Sequence, residues 1–562
     1  MSLICNTAEA QVFQCVNSAM QAAIKDGALP EAELPAFKVE IPADRGHGDY
    51  SSNAALMGAR VFRMAPPKIA EAIINHIDLS DTYFCSCEAL SGFLNFTLSP
   101  DYYSDILKDV TNKAENYGHS DFAKGKKALV EFVSANPTGP MHVGNARGGA
   151  IGDSLAEVLS WAGYYVEREF YINDAGNQIQ KFALSLDIRY LQLFDSSYEM
   201  PEDSYHGQDI IDHARAFADI YSDSFVSKSE EERREALVNF ALPKNIKGLE
   251  DDLLKYRIKY DTWFRESSLH ANGEVQRVID LLKSTDNTYE SEGALWFKAE
   301  KYGCPKDFVI VRSNGIPTYI VPDIAYHYNK LATRGFDLAI DVLGADHHGY
   351  VGRLAAALTA LGVDASKLKI VLMQMVRLVN KDGEVIKASK RSGKAITLVS
   401  LLDEVSIDAA RFIFNFREAN THCDFNLDLA VEQSSKNPVY YCQYAHARIC
   451  SILKNKGADG IDYLSADNNE LNLLVAEEEK ELIRHIAGLT GEIISAAKEL
   501  DSAKLTKYAY DLAALFHKFY NACRCDVEDE QLKKARLYLC NATKIVLANV
   551  LKLLKIEAPE NM

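Results

Sequence analysis

The stretch ALVEFVSANPTGPMHVGNARGGAIGDSLAEVLSWAG, residues 128–163, predicts the fold of the middle of the chain. It opens with ALVEFV, an apolar run typical of a buried strand. A turn rich in Pro and Gly leads into a helical pattern, which Gly163 ends, and YYVEREFYI then indicates a second strand. The helical stripe consists of Ile151, Leu155, Val158, Leu159 and Ala162. A strand–helix–strand unit of this kind predicts a parallel sheet with right-handed crossovers.

The turn between strand and helix, PTGPMHVGN at 137–145, is suited to a phosphate. A helix N-terminus presents unpaired N–H groups and the positive end of the helix dipole. His142 is a hydrogen-bond donor for a phosphate oxygen, and Gly144 leaves bare backbone against which a flat base can lie. The pattern is neither GxGxxG nor a P-loop, so an ordinary strand-to-helix turn is the alternative.

A second stretch, VNKDGEVIKASKRSGKAITL at 379–398, contains Gly383 and Gly393 and five cationic side chains. They are Lys381, Lys387, Lys390, Arg391 and Lys394. A mobile cationic loop of this kind can close over a triphosphate and stabilise the charge on a leaving pyrophosphate. A solvated basic hairpin is the alternative.

The charge of the chain limits the ways in which it can bind nucleic acid. A net charge of -18 argues against a protein that coats nucleic acid without specificity. Two segments nevertheless lack acidic residues and carry basic ones, between Glu432 and Asp459 and between Glu530 and Glu557. They indicate either a local contact with a polyanion or solvated helix faces.

Cysteine usage and the chain's start indicate a reducing compartment. The 11 cysteines include no CxxC pair, which favours free thiols over a zinc site. The first thirty residues lack the basic and apolar regions of a signal peptide, and no apolar run reaches the ~18 residues of a membrane span. We therefore expect a cytosolic protein without a metal site.

The patterns divide the chain into three domains: 1–118 with mixed helix and strand signals, 119–404 with α/β alternation, and 405–562, which is helical by period. A charged helical insertion at about 185–290 divides the middle domain, and we interpret it as connecting structure. Strand patterns resume in ALWFKA, DFVIVRS, DLAIDVLGAD and KIVLMQMVRLV. We expect them to form the second half of the same sheet.

The His-x-Gly-Asn turn and the Lys-x-Ser-Lys segment together resemble the two signatures of class I aminoacyl-tRNA synthetases. Longer strings resemble arginyl-tRNA synthetases of the bacterial type: EFVSANPTGPMHVGNARGGAIGD, YINDAGNQI, GADHHGYVGRL, DFNLDLAVEQSSKNPVYYCQYAHARI and LLKIEAPENM. The resemblance runs from the HGDYSSNAAL loop to Met562. Two positions depart from the family pattern, with Asn145 in place of the usual His and Ala388 in place of the usual Met.

The resemblance implies a multidomain protein. Its parts are a Rossmann-like class I catalytic domain with a parallel sheet, an N-terminal α+β domain that contacts tRNA, and an all-α C-terminal anticodon-binding domain. It implies an arginine–tRNA ligase in which the arginine carboxylate attacks the α-phosphorus of ATP. The 2′-hydroxyl of the terminal adenosine of tRNA(Arg) then takes the arginyl group and AMP leaves. ATP and Mg²⁺, L-arginine, tRNA(Arg) and a monomeric cytoplasmic enzyme are part of this expectation.

The resemblance also assigns roles to residues. Catalysis is assigned to His142, Asn145, Lys387 and Lys390. ATP binding is assigned to Pro140, His142, Gly144, Asn145, Gly344, Asp346, Lys387, Ser389 and Lys390. Arginine binding is assigned to Glu131, Asn136, Tyr319, Asp323 and His347, since the planar fork of a guanidinium needs carboxylates held opposite it. Binding of tRNA is assigned to Tyr440, Tyr444, Arg448 and Tyr520.

Alternatives stay open for several of these residues. Glu131 can belong to a structural salt bridge, Asp323 can be a helix N-cap, and aromatic residues at helical spacing are often core. At the level of function, the alternatives are a class I synthetase for another amino acid and a catalytically silent tRNA-binding paralogue. The intact His142 and lysine signature favour the enzyme.

Overall fold

The computed structural model describes residues 3–345, 348–386, 396–458 and 460–562. The first part of the chain consists of α1 (Leu3–Lys25), β1 (Val39–Glu40), β2 (Tyr50–Ser52), α2 (Ala54–Phe62), α3 (Pro66–Ile74), β3 (Phe84–Leu90), β4 (Phe93–Leu98) and α4 (Pro100–Lys113). Its sheet has the order β1-β2-β4-β3, and α3 packs against both α1 and β3. This is the α+β unit that the sequence predicts at the N-terminus.

The middle of the chain is built on a parallel sheet. Its elements are β5 (Lys127–Glu131), α5 (Val143–Trp161), β6 (Tyr165–Ile172), α6 (Gly176–Leu191), α7 (Gln208–Tyr221), α8 (Glu230–Lys255), β7 (Thr262–Arg265), α9 (Glu266–Ala271), α10 (Glu274–Ser284), β8 (Thr288–Ser291), β9 (Ala294–Phe297), β10 (Phe308–Val311), α11 (Ile320–Tyr328), β11 (Leu338–Gly344), α12 (His348–Ala360), β12 (Leu368–Met373), β13 (Val376–Val379) and α13 (Leu398–Leu402). Five of these strands form a sheet of order β12-β11-β5-β6-β7, with parallel pairing throughout. β6 and β7 follow β5 on one side, whereas β11 and β12 lie on its other side, so the strand order reverses between β5 and β11. Open α/β sheets bind ligands at the carboxyl ends of the strands at such a point.

Helix α5 is rich in glycine because it packs closely on the sheet. A Cβ atom at Gly152 would lie 2.2 Å from Cγ of Phe132, and one at Gly149 would lie 2.8 Å from Cδ1 of Ile258. Gly163 follows the helix with φ of 92°, a conformation that favours glycine. The predicted β5–α5–β6 unit is therefore present, with the helix ending where the sequence indicates.

The segment at about 185–290 differs from the predicted helical insertion. Helices α6, α7 and α8 share an apolar core of their own, as an insertion requires. Residues 262–265, however, form β7, the edge strand of the parallel sheet. TWFR has residues that favour strands, but four residues are too few for period-two alternation to stand out beside a long charged helix.

The strand patterns at ALWFKA and DFVIVRS are also placed differently from the expectation. β9 and β10 pair with each other and with β8 in a separate antiparallel sheet, and only β11 and β12 join the parallel sheet. Short apolar runs predict strands without showing which sheet they join.

The remaining chain is almost entirely helical. It contains α14 (Ile407–Asn415), β14 (Cys423–Asn426), α15 (Leu427–Ala430), α16 (Pro438–Ala458), α17 (Asn468–Leu471), α18 (Glu477–Ala487), α19 (Leu489–Glu499), α20 (Ala503–Ala522) and α21 (Glu530–Leu553). The single strand, β14, pairs in parallel with β13 of the middle region. Helices α14 and α19 pack on α5, and α18 and α21 pack on α4, so the helical region contacts both other parts.

A buried ion pair joins the helical region to the sheet helix. Arg411 of α14 and Asp153 of α5 are both 0% exposed, and Nη2 of Arg411 lies 2.6 Å from Oδ2 of Asp153. Burial opposes ionisation of Asp153, but Arg411, Lys555 and Arg168 outweigh it and hold its pKa below the usual value. The charge pair therefore fixes how α14 sits on α5.

No disulfide bond joins the cysteines of the described residues. The Sγ atoms of Cys525 and Cys540 lie 3.7 Å apart, at hydrogen-bond distance. Among the residues that the structure describes, we find no helix with the length and apolar character of a membrane span.

Candidate active site

A cleft of about 1390 Å³ opens at the carboxyl ends of β5 and β11, where the strand order reverses. Of the residues predicted to bind substrates, it is lined by Glu131, Asn136, Pro140, His142, Gly144, Asn145, Asp323 and Gly344. These residues come from the end of β5, the turn before α5, helix α11 and the end of β11. The tertiary structure thus brings two predicted sites, for ATP and for arginine, into one cavity.

The Pro-Gly turn leads directly into the N-terminus of α5, with His142 at the N-cap position. The His142 side chain is exposed, and its backbone N–H donates to Oδ1 of Asn145 at 3.0 Å. Asn145 thus closes the first turn through its oxygen and keeps its amide N–H groups as donors. Apart from its chain neighbours and the nearby backbone of α5, no atom of the described residues lies within 4 Å of a Cβ built on Gly144, so the backbone there faces the cleft.

The chain that follows the second signature segment is attached to the turn that carries the first. Residues 387–395, which include Lys387, Ser389 and Lys390, lie outside the described residues. The chain beyond them is described: Thr397 forms an antiparallel bridge with His142, and the N–H of Leu398 donates to the carbonyl of Met141 at 2.9 Å. The end of the cationic segment is therefore attached to the turn that carries His142.

Glu131 is held by a buried cation. Oε2 of Glu131 lies 2.6 Å from Nζ of Lys330, and its Oε1 accepts a hydrogen bond of 2.9 Å from Ser134. Glu131 is 7% exposed and Lys330 is 0% exposed. The salt-bridge alternative for Glu131 is thus realised, although its carboxylate still lines the cleft.

Lys330 also pairs with a second carboxylate, that of Asp341 on β11. Its Nζ lies 2.8 Å from Oδ1 of Asp341, and Oδ2 of Asp341 lies 2.6 Å from Nε2 of His327. Burial would raise the pKa of Asp341, but Lys330 and His327 outweigh burial and lower it. Burial likewise opposes the charge on Lys330, yet Asp341 and Glu131 raise its pKa above the usual value. One buried cation is therefore shared by two carboxylates in this part of the wall.

Asp323 has a different environment. It lies in the first turn of α11, whose N-cap position is Tyr319, so Asp323 is not the N-cap residue. Its carboxylate accepts a hydrogen bond from the hydroxyl of Tyr350, and burial raises its pKa, because the described residues give it no cation at ion-pair distance. Unlike Glu131 and Asp341, Asp323 has no ion pair with a cation among the described residues, a feature that it shares with Asp209 on another wall of the cleft.

Tyr319 is less enclosed than the prediction implies. It is 68% exposed and stacks on Tyr350, with ring centroids 6.0 Å apart. Because Tyr350 lines the cleft and Tyr319 does not, Tyr319 lies at the rim. His347 and Asp346 lie outside the described residues.

The chain that follows β5 is in an unusual conformation. Val133 and Ser134 have φ of 68° and 40°, a region that non-glycine residues, and β-branched residues above all, rarely adopt. The hydroxyl of Ser134 accepts from the N–H of Tyr171 at 3.1 Å and donates to Glu131, which holds the turn in place. Strained backbone of this kind typically occurs where function requires a particular position.

Sequence reasoning missed one wall of the cleft. The segment Tyr205–Asp209, which leads into α7 and includes its first two residues, lines the cleft together with Gln178, although we interpreted the insertion as connecting structure. Asn245 of α8 donates to the carbonyl of Pro137 at 3.0 Å and so ties the insertion to the turn before His142. The sequence contains no periodic signal for this contact, since YHGQD spans a loop and the start of a helix, and its position depends on the packing of three helices.

Of the residues predicted to bind tRNA, Tyr440, Tyr444 and Arg448 line a pocket of about 400 Å³ in the helical region, and Tyr520 does not line it. Tyr440 and Tyr444 stack with ring centroids 6.2 Å apart, and Tyr444 stacks on His517 at 6.1 Å. Cζ of Arg448 lies 4.5 Å from the ring centroid of Tyr520. Burial lowers the pKa of His517, and Arg448 adds to this effect, so the pocket combines a neutral imidazole with one cation.

No group of three or more His, Cys, Asp or Glu side chains is placed to hold a metal ion in the part of the chain that the structure describes.

Comparison with known families divides the chain into three consecutive parts. The description "Arginyl tRNA synthetase N terminal domain" matches residues 14–98. "tRNA synthetases class I (R), catalytic domain" matches residues 107–451, and "DALR anticodon binding domain" matches residues 442–562. The order of the three agrees with the predicted architecture, while the predicted domain boundaries themselves stay predictions.

Individual proteins are similar over the whole chain. "Arginine--tRNA ligase" of Acetivibrio thermocellus is 48% identical over 565 residues, covering 100% of both chains. "Arginine--tRNA ligase" of Caldanaerobacter subterraneus subsp. tengcongensis is 49% identical, again covering 100% of both. The solved structure of Thermus thermophilus arginyl-tRNA synthetase has a TM-score of 0.72 at 23% identity, covers 97% of this chain and 99% of its own, and shows the same fold.

Proposed function

The chain belongs to the arginyl-tRNA synthetase family, and from that premise we propose how its cleft carries out the reaction. The enzyme is an arginine–tRNA ligase that uses ATP to activate L-arginine and transfers the arginyl group to tRNA(Arg). Activation joins the arginine carboxylate to the α-phosphorus of ATP and releases pyrophosphate. Transfer joins the arginyl carbon to a hydroxyl of the terminal adenosine and releases AMP. Neither step requires a side-chain nucleophile, so catalysis rests on positioning and electrostatics.

ATP is proposed to bind against the N-terminus of α5. The N–H groups of that terminus and the open backbone at Gly144 support this placement, with His142 and Asn145 as donors to phosphate oxygens. Pro140, Gly344, Asp346 and Ser389 complete the proposed ATP site. Lys387 and Lys390 would stabilise the departing pyrophosphate. The hydrogen bond from Leu398 to Met141 carries this proposal, because it attaches their segment to the turn of His142.

Mg²⁺ is proposed to enter with ATP. Magnesium binds substrate phosphates through few protein carboxylates and keeps several waters. The cleft fits this mode of binding. Because Glu131 and Asp341 are already paired with Lys330, the phosphate oxygens of ATP would supply most of the ligands to the ion. When bound, Mg²⁺ screens the charge of the triphosphate.

L-arginine is proposed to place its guanidinium against Asp323. A planar fork of donors matches a carboxylate, and Asp323 lacks a cation among the described residues. Glu131 adds negative potential from the floor of the pocket, Tyr319 covers the rim, and Asn136 and His347 hold the α-amino end. The carboxylate of arginine then faces the α5 N-terminus, where the phosphates lie.

Recognition of tRNA is proposed to involve the aromatic pocket of the helical region. Tyr440 and Tyr444 offer ring faces for unpaired bases in that pocket, and Arg448 offers a cation for the backbone. Tyr520, which contacts Arg448 from beside the pocket, is proposed to contribute a further ring. A monomer in the cytoplasm is part of the proposal and rests on family likeness alone. Size-exclusion chromatography with light scattering measures whether the protein is a monomer.

ATP–pyrophosphate exchange with each of the twenty amino acids, with and without tRNA, tests the proposed function. We expect exchange with arginine only, and only in the presence of tRNA. Exchange with another amino acid would identify a different class I synthetase. A folded protein that neither exchanges nor charges tRNA would be the silent paralogue. Exchange with arginine in the absence of tRNA would contradict the expected tRNA dependence alone.

A further inference from the structure

Lys330 is a fully buried lysine whose ammonium lies directly behind the wall of the arginine pocket. It is 0% exposed and belongs to a π-helical turn, Asn329–Thr333, that follows α11. Turns of this type are rare and are often found at functional sites. Nothing in the proposed reaction uses Lys330, yet its partners Glu131 and Asp341 both line the cleft.

The surroundings of Nζ form a complete binding site for an alkylammonium ion. Oε2 of Glu131 lies at 2.6 Å and Oδ1 of Asp341 at 2.8 Å, and the ring centroid of Tyr326 lies at 4.1 Å. An ammonium is a compact, strongly hydrated charge that is stabilised by oxygens from several sides and by an aromatic face. The two carboxylates come from adjacent strands, β5 and β11, so the sheet itself sets their spacing.

The place that suits an ammonium and the place that suits a guanidinium are therefore separate. Asp323 is on α11, and among the described residues its carboxylate is bonded to the Tyr350 hydroxyl and has no cation. A guanidinium is planar, more weakly hydrated, and pairs with a carboxylate through two parallel bonds. The carboxylate of Asp323 is therefore available to pair with a planar cation such as a guanidinium.

We propose that Lys330 is a specificity-determining residue: its ammonium occupies, from within the protein, the site that the side chain of a competing lysine or ornithine would take. The inference rests on the proposed arginine-binding function of the cleft. Without Lys330, two buried carboxylates at the pocket wall would be left facing an ammonium-sized space. Buried charge without a partner is strongly unfavourable, so that space would attract any cationic side chain of sufficient reach. Specificity is a difference between the affinities for two substrates. Because the Lys330 ammonium already occupies this site, a competing lysine binds less tightly and the difference from arginine increases.

The test compares two variants that lose the same charge but leave different space. Lys330→Ala removes the ammonium and leaves room, whereas Lys330→Met removes the ammonium and keeps the volume filled. Lys518→Met, which breaks an exposed pair with Glu481, is the matched control for a lost lysine. Steady-state exchange with saturating ATP and tRNA gives kcat and KM for arginine, lysine and ornithine, with and without ethylammonium.

For Lys330→Ala we expect the ratio of kcat/KM for lysine to that for arginine to rise at least about tenfold, mainly through KM for the two amino acids. Ethylammonium should restore the wild-type ratio in Lys330→Ala and should leave Lys330→Met unchanged. Lys518→Met should behave as the wild type. An unchanged lysine-to-arginine ratio in folded Lys330→Ala, or equal effects of ethylammonium on both variants, would overturn the inference.

Loss of the buried cation can prevent folding, and a third variant keeps the test decisive. Lys330→Ala with Asp341→Asn removes one charge of each sign, leaves the ammonium-sized space open, and leaves Glu131 as the uncompensated carboxylate. Discrimination against lysine should fall in this variant too, and a folded double variant with wild-type discrimination would contradict the inference. Failure of the proposed function is a separate outcome, because it shows as absence of arginine-dependent exchange in the wild-type enzyme.

Discussion

The backbone N–H of Leu398 donates to the carbonyl of Met141 at 2.9 Å, and so joins the residues after the cationic segment to the turn that carries His142. The two signature segments are far apart in the sequence. Because Leu398 is attached to the turn of His142, the residues that follow the lysine segment are held beside the proposed phosphate site. The effect of this single bond on catalysis is measurable.

Leu398→Pro removes the N–H donor at the first position of α13, where proline is tolerated. We expect kcat for arginine-dependent exchange to fall about tenfold relative to Leu398→Ala, the loss of one hydrogen bond of about 1 kcal/mol or slightly more. Leu398→Ala is the control, because it loses the buried side chain and keeps the N–H. Equal kcat values in the two variants would show that the anchor does not matter to activation.

Asp323→Asn should raise KM for arginine about a hundredfold with a smaller effect on kcat, since it removes the charge opposite the guanidinium. Burial raises the pKa of Asp323, so in the wild type KM for arginine should rise on acidification at a higher pH than an ordinary aspartate would give. A KM profile over pH for exchange measures both. Tyr350→Phe keeps the carboxylate and is expected to change KM less than Asp323→Asn.

Asp323 and Asp341 should affect stability in opposite directions. The raised pKa of Asp323 means that its ionisation opposes folding above the usual pKa of aspartate, so Asp323→Asn should stabilise the apoprotein by about 1 kcal/mol near neutral pH. Lys330 and His327 overcome burial and lower the pKa of Asp341, so its charge stabilises the fold above that usual pKa and the contribution is lost as the pH falls towards the lowered value. Asp341→Asn should therefore destabilise by about 3 kcal/mol near neutral pH. Urea unfolding at about pH 7 and about pH 4 tests the signs. The Asp323→Asn difference should shrink at the lower pH, because Asp323 is then largely protonated in the folded protein, whereas the Asp341→Asn difference should largely persist, because the lowered pKa of Asp341 lies below that pH.

The buried pair of Arg411 and Asp153 should matter far more than an exposed pair. Arg411→Ala leaves Asp153 buried with fewer cations and should cost about 3–5 kcal/mol of unfolding free energy. Arg377→Ala breaks a pair whose side chains are 58% and 50% exposed and should cost less than about 1 kcal/mol. Thermal unfolding of both variants makes the comparison. Similar losses would mean that the Arg411 pair does not hold α14 on α5.

Tyr444→Ala should raise KM for tRNA about tenfold, the loss expected when a base loses its stacking partner. KM for arginine, measured in aminoacylation at saturating tRNA, should stay within about twofold. Tyr165→Ala removes another exposed tyrosine, which is 73% exposed and starts β6, and serves as the control. A tRNA KM equal to that of the control would remove Tyr444 from the proposed tRNA contact.

Much of the fold follows from local patterns. The β5–α5–β6 unit was predictable because a buried strand, a Pro-Gly turn and an amphipathic helix ended by Gly163 each have their own residue signal. Strand β7 was not, because four residues carry too little periodicity. The separate sheet of β8, β9 and β10 was not predictable either, since an apolar run does not indicate which strand it pairs with.

The residues of the site also differ in how far the sequence predicts their positions. The sequence alone determined that His142, Gly144 and Asn145 stand at a helix N-terminus, because hydrogen bonds within one turn create that geometry. Only the tertiary structure decided that Glu131 pairs with Lys330, a residue 199 positions away, and that Asp323 has no cation among the described residues. It also decided that a loop of the insertion forms one wall of the cleft. The reason is physical: a charge's partner depends on which strands and helices become neighbours on folding, and no local pattern of residues carries that information.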